Sequence, residues 1–355
     1  MSSKLRPLYD KLYTTIDVKL VALQANRDGK KRAKKIPMKE GFDRDFRKKV
    51  VPYWKKFGVR PKKHWFRIYC EKRDTVDPRF IPDDIWFSRV VPHYNHILFS
   101  QALQDKCLHQ WFVPDVRRPE TVVKNISGLF YDDMLNLIDE EEAIRRCMAC
   151  ERYIVKPSVG SGRGADIHFY NGSSLSEQET KQMFAKYKNK NFIVQKPVRQ
   201  HKVLSDIYDK SLNTIRVVTF VHKGEAHVLS VIVRMGAGGS EIDNVSKGGY
   251  ACKVHMDGNL DTYAVDRKAN WVTKHPGGAV FAEIKLPRFD HFIEVVKTAA
   301  KKVPHFSILG WDFAIDEDGE PVFIEYNVIP DQNQKTWGPT FGDMTDEILE
   351  EVFKK

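Results

Sequence analysis

Long hydrophobic runs are missing from this sequence. No stretch approaches the ~18 consecutive apolar residues that a membrane-spanning helix needs. The first twenty residues, MSSKLRPLYDKLYTTIDVKL, have neither the apolar segment nor the small-residue cleavage site of a secretory signal peptide. We therefore expect a cytoplasmic protein.

Cysteine is scarce, with five residues in a chain of 355, at Cys70, Cys107, Cys147, Cys150 and Cys252. An odd number at scattered positions argues against a disulfide framework. Cys147 and Cys150 form a CxxC pair, but the second ligand pair that a zinc site needs is absent. Two interpretations of the pair stay open, a redox motif and thiols that pack within a helix, and the second is the one we expect.

Acidic residues are few in the first 75 positions, which hold 8 Asp and Glu against 23 Lys and Arg, a net charge of +15. The whole chain carries +11, so the rest is slightly acidic. Such a basic segment either meets an anionic partner, such as the inner membrane surface or an acidic polymer, or is simply a solvated helical face. The solvated face is the plainer interpretation, and no specific nucleic acid is expected.

The order of predicted elements indicates an α+β fold. In the basic region, apolar residues recur at helical spacing and predict one helix face: Leu8, Leu12, Ile16, Leu20 and Leu23. Further along, short strands alternate with helices and pair through tight turns, which is not the βαβ repeat of a Rossmann fold. A chain of 355 residues is too long for one ordinary core, so two or three subdomains are expected.

The segment SILGWDFAIDEDGEPVFIEYNVIPD places one carboxylate in each arm of a predicted hairpin. Asp318-Gly319 is a strong signal for a two-residue turn. Such a loop pairs Glu317 with Glu320, and counting outward from that pair sets Asp312 opposite Glu325. The register therefore predicts that two carboxylates in the middle of the hairpin are neighbours.

Alternation of side chains gives the two faces of this hairpin different characters. One face supplies apolar side chains to a core: Trp311, Phe313, Ile315, Val322, Ile324 and Tyr326. The other face carries Gly310, Asp312, Ala314, Phe323, Glu325 and Asn327. Directly opposed Cβ atoms are ~5 Å apart, so two carboxylates and one amide are expected to converge.

Two carboxylates this close repel one another unless something neutralises them. A magnesium ion held by Asp312, Glu325 and Asn327 does so, because Mg²⁺ prefers oxygen ligands and takes one or two carboxylates beside substrate phosphates. Three alternatives stay open: a proton shared by the pair, salt bridges with Lys or Arg, and an acid–base pair of the glycosidase type.

A glycine-rich loop follows the predicted strand in YIVKPSVGSGRGADI. Glycines let backbone N–H groups approach phosphate oxygens, and Lys156 at the strand end supplies positive charge. The pattern is not a Walker A loop, which needs Gly-Lys-Ser or Gly-Lys-Thr opening a helix. A mobile turn without a ligand is the alternative.

Several segments together resemble the sugar-transfer-associated family of the ATP-grasp superfamily, from about residue 80 to the C-terminus. They are FIPDDIWFSRVVPHYN, LQDKCLHQWF, PETVVKNISGLFYD, VKPSVGSGRG, QKPVRQH, LNTIRVVT, DNVSKGG and GWDFAI…IEYN. This resemblance implies a fold of two α+β lobes with antiparallel sheets that sandwich ATP, and a carboxylate–amine ligase that works in the assembly of cell-surface polysaccharide.

The resemblance also implies roles for individual residues. Phosphates and adenosine are assigned to Lys106, Lys156, Ser161, Gly162, Gly164, Gln195, Lys196, Val198 and His201. Catalysis is assigned to Arg216, Arg234 and Lys247, and the substrate loop to Asn244, Ser246, Gly248 and Gly249. Magnesium is assigned to Asp312, Glu325 and Asn327.

The sequence thus predicts a Mg·ATP-dependent ligase for a carboxylate, such as a sugar acid, and an amine, such as an amino acid or amino sugar. An ATP-dependent kinase and a non-catalytic nucleotide-binding module are the alternatives. The expected organisation is a basic helical region over 1–75, an N-terminal region over 76–130 that precedes the ATP-grasp lobes, a small lobe over 131–197 and a large lobe with the metal and substrate site over 198–355. The expected location is the cytoplasm, with the inner membrane surface as one possibility.

Overall fold

The structure, a computed structural model, describes residues 6–160, 166–187 and 191–354. The fold is mixed α+β, as the sequence predicts. Six described strands form a first antiparallel sheet in the order β3-β2-β1-β6-β4-β5. These strands are β1 (Thr121–Ile126), β2 (Leu129–Tyr131), β3 (Leu137–Ile138), β4 (Tyr153–Pro157), β5 (His168–Tyr170) and β6 (Phe192–Gln195). Residue 130, where a boundary was predicted, therefore falls inside β2.

A second antiparallel sheet contains seven described strands in the order β11-β10-β9-β8-β7-β12-β13. These strands are β7 (Thr214–His222), β8 (Glu225–Met235), β9 (Tyr250–Val254), β10 (Leu260–Asp266), β11 (Trp271–Val272), β12 (Ile308–Ile315) and β13 (Pro321–Asn327). The predicted hairpin supplies β12 and β13, so it lies at one edge of this sheet.

Helices of the N-terminal region precede both sheets. They are α1 (Arg6–Lys34), α2 (Phe42–Asp45), α3 (Val51–Lys55), α4 (Lys63–Tyr69), α5 (Asp83–Ile85), α6 (Val91–Tyr94), α7 (Ser100–Leu103) and α8 (His109–Phe112). Wider π turns at Phe46–Val50 and Trp86–Val90 connect α2 to α3 and α5 to α6. Both turns precede a proline in the first turn of the next helix.

The remaining helices cover the sheets. They are α9 (Glu140–Met148), α10 (Glu177–Lys186), α11 (Lys202–Ser205), α12 (Phe289–Ala300) and α13 (Thr345–Phe353). Ser176 and Glu179 form a capping box that starts α10. Helices α9 and α10 contribute Ile144, Cys147 and Met183 to the core of the first sheet. In α12, apolar residues at helical spacing pack against Trp311 and Phe313 of the second sheet.

The N-terminal region and part of the second sheet share one core. Trp54, Trp65 and Trp86 belong to the same buried cluster as Phe220 of β7 and Ile348 of α13. Burying aromatic residues of this size removes 150–250 Å² each from water. The basic region is therefore packed against the sheet face opposite to α12 over the residues described.

The predicted apolar face of α1 is not the buried one. Ile16, Leu20 and Leu23 are 51%, 59% and 61% exposed, and the side chains of Leu8 and Leu12 lie outside the described part. The helix instead packs through its small residues. Gly29 is in contact with the ring of Trp65, where an added Cβ would lie 2.6 Å from the ring. Close approach of the helix backbone thus selects a different face from the one that periodicity indicates.

All five cysteines are free and buried. Cys147 lies in the core of the first sheet, and burial raises its pKa to about 12. A redox thiol needs the opposite shift, because the thiolate is the reactive form. The packing interpretation of the CxxC pair is therefore supported.

Within the described residues, no helix is both long enough and apolar enough to cross a membrane.

Candidate active site

The predicted register of the β12–β13 hairpin is confirmed at the site. Asp312 pairs with Glu325, and Gly310 pairs with Asn327. Gly310 is required there because an added Cβ would lie 2.6 Å from Cβ of Pro330. The two carboxylates are thus cross-strand neighbours on β12 and β13.

The turn of this hairpin differs from the prediction. Asp316 N–H donates to the carbonyl of Glu320 at 3.0 Å, so the loop has three residues, Glu317 to Gly319, rather than two. Gly319 takes φ 81°, the left-handed conformation typical of the last residue in such a loop. The predicted pair of Glu317 with Glu320 is therefore wrong.

A bulge between Asp312 and Phe313 restores the register toward the site. Phe313 pairs with Phe323, not with Ile324, which is the extra residue on β13. Phe323 consequently joins Trp311 and Phe313 in the core, 1% exposed. The predicted position of Phe323 on the carboxylate face is therefore wrong, and so is that of Ile324 on the core face.

Asp312 is held by two arginines. Arg216 on the neighbouring strand β7 donates from Nε and Nη2 to the two carboxylate oxygens of Asp312 at 2.5 and 2.8 Å. Nη2 of Arg234 on β8 lies 3.0 Å from Oδ1 of Asp312. Burial favours a raised pKa for Asp312, but the two guanidinium charges outweigh it and keep the pKa below its usual value. Asp312 is therefore an anion between two cations.

The strand register explains why both predicted catalytic arginines meet at one carboxylate. Arg216 pairs with Asp312 across β7 and β12, and Arg234 pairs with Thr214 across β8 and β7. Thr214 and Arg216 are two residues apart on one strand, so they lie on the same face. Of the alternatives left open by the sequence, salt bridges to the carboxylate pair are present.

Thr214 and Asp243 extend this network, and sequence analysis did not identify either of them. Arg234 donates from Nη2 and Nε to the Thr214 hydroxyl oxygen at 2.7 and 3.1 Å. The hydroxyl of Thr214 donates to Asp243, whose Oδ2 also lies 3.6 Å from Arg234 Nε. Asp243 is 8% exposed, and its burial raises its pKa. The only signal in the sequence is an Asp before the Asn-Val-Ser-Lys-Gly-Gly loop.

Glu325, the second carboxylate, faces a pair of lysines. Lys106 Nζ lies 3.0 Å from Oε2 of Glu325. The backbone N–H of Lys106 donates to the carbonyl of Ser158 at 3.0 Å, which ties its loop to the end of β4. Lys156 on β4 is buried, and that burial together with the charge of Lys106 lowers its pKa to about 8. Two predicted phosphate contacts and one predicted metal ligand thus share one region.

The donor set at the hairpin fits a magnesium ion. Glu325 is 30% exposed, and the side chain of Asn327 is half-buried without a hydrogen-bond partner in the described part of the chain. These offer a carboxylate and an amide oxygen, which are ligands that Mg²⁺ accepts. Asp312 is only 2% exposed, and both of its oxygens accept hydrogen bonds from Arg216. It can therefore act as a magnesium ligand only while it also remains paired with an arginine.

The residues predicted to hold adenosine follow β6. Gln195 is 8% exposed, at the end of the strand. Lys196 pairs with Glu120 twice, through its ammonium at 2.6 Å and through its backbone N–H to the carbonyl at 2.9 Å. Val198 is half-buried in the segment that connects the two sheets. Lys196 therefore offers a side chain that is already engaged, in a segment fixed to the start of β1.

His201 starts the short helix α11. Its ring Nδ1 accepts from the backbone N–H of Val203 at 3.2 Å, and the backbone N–H of His201 donates to the carbonyl of Ile315 at 2.9 Å. This places His201 beside the hairpin, in a capping position. Ser161, Gly162 and Gly164 lie outside the described residues.

The predicted substrate loop forms a tight turn between β8 and β9. Asn244 Oδ1 accepts from the N–H of Ser246 at 2.8 Å, and its carbonyl accepts from Lys247 N–H at 2.8 Å. Gly248 takes φ 102°, and an added Cβ on Gly249 would lie 2.4 Å from the carbonyl oxygen of Met235. Both glycines are thus required by the turn that follows Asp243.

Lys247 lines a cleft between the two sheets, of about 530 Å³. One wall comes from β5 and the other from the loop before β9, with His168, Tyr170, Ser240 and Glu241 among the lining residues. Arg152 and Glu241 form an ion pair across the two sheets at 3.0 Å. Lys247 therefore lies on this cleft and is separate from the Arg216–Asp312 pair.

Comparison with known proteins assigns a family to this arrangement. The family model described as "Sugar-transfer associated ATP-grasp" matches residues 88–336, which include both lysines, both arginines and the hairpin. No curated protein sequence matches the chain significantly.

Solved structures also resemble this chain, at low identity. They include the biotin carboxylase domain of the Hydrogenobacter thermophilus 2-oxoglutarate carboxylase with MgADP and bicarbonate (16% identity, TM-score 0.44, 74% of this chain and 48% of that chain). Others are the ATP-grasp ligase PsnB with its minimal precursor (17%, 0.40, 73% and 63%) and the D-alanyl-alanine synthetase A of Vibrio cholerae (10%, 0.43, 72% and 66%).

The chain therefore spans about half to two thirds of the length of these structures. At such identities and TM-scores, these structures give no information about the substrate or reaction of this chain.

Proposed function

Because the chain belongs to the sugar-transfer associated ATP-grasp family, we propose that it is a Mg·ATP-dependent ligase that activates a carboxylate as an acyl phosphate and couples it to an amine. The observation that carries the proposal is a set of three ion pairs on one hairpin. Lys106 lies at Glu325, while Arg216 and Arg234 lie at the paired Asp312. Cations on both sides of two carboxylates suit a reaction between phosphate and carboxylate groups.

In this proposal the lysines receive the phosphates of ATP. Lys156 has a pKa of about 8, so its ammonium is mostly charged at neutral pH despite its burial. A charged group held in a buried position interacts more strongly with phosphate oxygens than it would in water. Adenine would lie at Gln195, Lys196 and Val198, with His201 near the ribose.

The arginines stabilise the charge that develops as the acyl group transfers. The carboxylate attacks the γ-phosphorus, ADP leaves, and the amine then displaces phosphate from the acyl phosphate through a tetrahedral oxyanion. Arg216 and Arg234 are aligned in advance by Asp312 and by Thr214 with Asp243. Guanidinium groups that need no reorientation during the reaction lower its barrier most. Lys247 would contact the substrate from the cleft between the two sheets.

Glu325 and Asn327 would hold the magnesium ion, together with Asp312, which pairs with Glu325 on the neighbouring strand. When bound, the ion neutralises phosphate charge and orients the transferring group. Lys106 is 3.0 Å from Glu325, so its ammonium and a bound ion would share that carboxylate. In this proposal the ion pair with Lys106 directs Glu325 toward the phosphates.

The substrates are proposed from the description of the family. A sugar-transfer association favours a sugar acid as the carboxylate, and an amino acid or amino sugar as the amine. The product would be an amide-decorated saccharide for a cell-surface polysaccharide. The substrate loop of Asn244, Ser246, Gly248 and Gly249 borders the arginines through Asp243 and would contact the acceptor.

The basic region is proposed to hold the enzyme at an anionic membrane surface, from the cytoplasmic side. Along the outward side of α1, the exposed side chains of Ile16, Leu20 and Leu23 continue into the exposed cations of Arg27 and Lys30. These positions are spaced by four or three residues and therefore form one stripe. An apolar stripe followed by cations suits a surface of anionic lipid headgroups.

Release of ADP tests the proposed function. Wild-type protein with Mg·ATP is incubated with pairs drawn from sugar acids and amino acids or amino sugars, and we expect sustained ADP release only with both partners present. Glu325→Gln is expected to reduce the rate about a hundredfold or more, because it removes a predicted metal ligand. Glu317→Gln, in the loop of the same hairpin, is the matched control.

Each competing activity gives a different result. ADP release that needs no amine, with a stable phosphorylated product, would establish a kinase instead of a ligase. ATP binding without turnover on any acceptor would establish a non-catalytic module. An unchanged rate in Glu325→Gln would contradict the site.

A further inference from the structure

Two rows of cross-strand pairs run from the candidate site toward the far edge of the second sheet. The first row is Asp312, Arg216, Ile232 and Lys253, and the second row is Arg234, Ala251, Val265 and Trp271. Neighbouring strands are ~4.8 Å apart, so the far ends of both rows lie roughly 14 Å from their charged ends. Because paired residues share a face, Lys253 and Trp271 lie on the face that carries the arginines.

The middle of both rows is an apolar floor. Ile232, Ala251 and Val265 form a small buried cluster, 7% exposed each, with Trp271 packed against it. This cluster is separate from the core beneath α12 and from the core of the N-terminal region. The face thus changes along its length from guanidinium groups to aliphatic side chains and then to an indole.

Lysines with aromatic neighbours border this floor. Lys72 Nζ lies 5.9 Å from the ring centroid of Trp271 and 5.8 Å from that of Tyr263. Lys253 Nζ lies 4.9 Å from the ring centroid of Trp337. Neither ammonium forms an ion pair with a carboxylate in the described part of the chain, whereas Lys335, 5.2 Å from Trp271, pairs with Glu71 at 2.7 Å. Positive charge therefore exceeds negative charge at this end.

Two further observations indicate a ligand here. Burial lowers the pKa of Lys253; the charge of Asp261 opposes this shift and that of Arg73 adds to it, so an anion beside the ammonium would offset its desolvation. The indole Nε1 of Trp271 is buried and has no hydrogen-bond partner within the described residues. Buried donors of this kind normally have an acceptor.

We propose that this face is the acceptor groove of the enzyme and that it binds an acidic saccharide. The proposal rests on the proposed function. The carboxylate to be activated lies at the Arg216 and Arg234 end, the sugar rings cover the apolar floor, and further acidic groups pair with Lys72 and Lys253. Apolar surface with a few convergent polar groups is the usual character of a ligand site, and the cations select for negative charge.

Binding of defined oligosaccharides tests the groove without any turnover. The probes are trigalacturonic acid and a hyaluronan tetrasaccharide, with maltotriose as the neutral saccharide and a glutamate tripeptide as the acidic non-saccharide, measured by isothermal titration calorimetry. We expect one of the acidic saccharides to bind and both other probes to bind more weakly. Lys253→Gln and Lys72→Gln should each raise its Kd about fivefold.

Lys268→Gln is the matched control, because Lys268 is exposed in the turn between β10 and β11. It should leave the Kd unchanged, and all three variants should bind Mg·ATP as the wild type does. Failure of both acidic saccharides to bind, equal binding of the tripeptide, or an equal loss in Lys268→Gln would overturn the groove. The proposed function fails separately, if no pair of substrates supports ADP release.

Discussion

One face of the second sheet has two halves that differ in what covers them. Along β7, Arg216 belongs to a charged half, while Val218 and Phe220, two and four residues further on, belong to an apolar half. All three point the same way because they are separated by even numbers of residues. The apolar half is covered by the N-terminal helices and α13, whereas the charged half carries the ion pairs of Asp312 and Glu325 with Arg216 and Lys106. Coverage, rather than strand propensity, separates core from candidate site.

Phe220→Ala tests the apolar half and should have the largest effect. Phe220 is completely buried between Tyr94, Phe341 and its own sheet. Truncation should lower the free energy of unfolding by about 3–5 kcal/mol through lost burial and a cavity. Urea denaturation measures this, with Leu137→Ala, 66% exposed, as a control expected to change by under about 0.5 kcal/mol. Equal changes in both variants would contradict the shared core.

Arg216→Met tests the charged half. The turnover number should fall about 10²–10³-fold, because a preorganised cation is lost from the proposed transition state. Arg216→Lys should recover little of it, since a single ammonium cannot reproduce the two hydrogen bonds that Arg216 makes to Asp312. Steady-state kinetics under conditions where both variants remain folded measure the effect. Full activity in Arg216→Lys would show that only net charge matters at this position.

Titration of Lys156 should make both ATP binding and stability depend on pH. Its pKa is lowered to about 8 from the ordinary lysine value, so the free enzyme should lose affinity for ATP as the pH rises through about 8. Stability should change in the opposite direction. From pH 8 up to the ordinary lysine pKa, the unfolded chain binds more protons at this position than the folded chain, so the free energy of unfolding rises with pH.

Lys156→Arg is the matched variant for this dependence, because arginine stays protonated throughout the range. It should remove the loss of ATP affinity near pH 8, as measured by kcat/KM for ATP or by direct titration. An identical pH profile in the variant would assign that dependence to another group.

The outward stripe of α1 should give the smallest effect. Leu20→Glu with Leu23→Glu should reduce co-sedimentation with vesicles that contain phosphatidylserine or phosphatidylglycerol several-fold, and high salt should reduce wild-type binding as well. Leu129→Glu with Leu137→Glu makes the same change at exposed leucines of the first sheet and should have little effect. Comparable losses in both double variants would show that added charge, and not the stripe, explains the result.

Parts of this picture follow from the sequence through local rules. The pairing of Asp312 with Glu325 was predicted from a two-residue Asp-Gly turn, and it holds because the bulge at Ile324 offsets the longer loop. Neither the three-residue loop nor the bulge could be predicted, since Gly319 suits both loop lengths. Phe323 therefore reached the core against the simple alternation.

Contacts between distant strands were harder to predict. Two arginines at one carboxylate require the order β8-β7-β12, which no local pattern contains. The contact of Asp243 with Thr214 depends on how the loop after β8 folds back, so the sequence could not show that Asp243 belongs to the site. The leucines of α1 were predicted correctly as one helix face, but their spacing does not tell whether that face packs on the protein or points outward.

A crystal structure with magnesium and a non-hydrolysable ATP analogue tests the central claim most directly. We expect phosphates between Lys106 and Lys156, with an ion bound by Glu325 and Asn327 and the adenine beside Lys196. Arg216 should remain at Asp312 and point toward the γ-phosphate. An analogue bound away from both lysines, or an ion that contacts neither Glu325 nor Asn327, would contradict it.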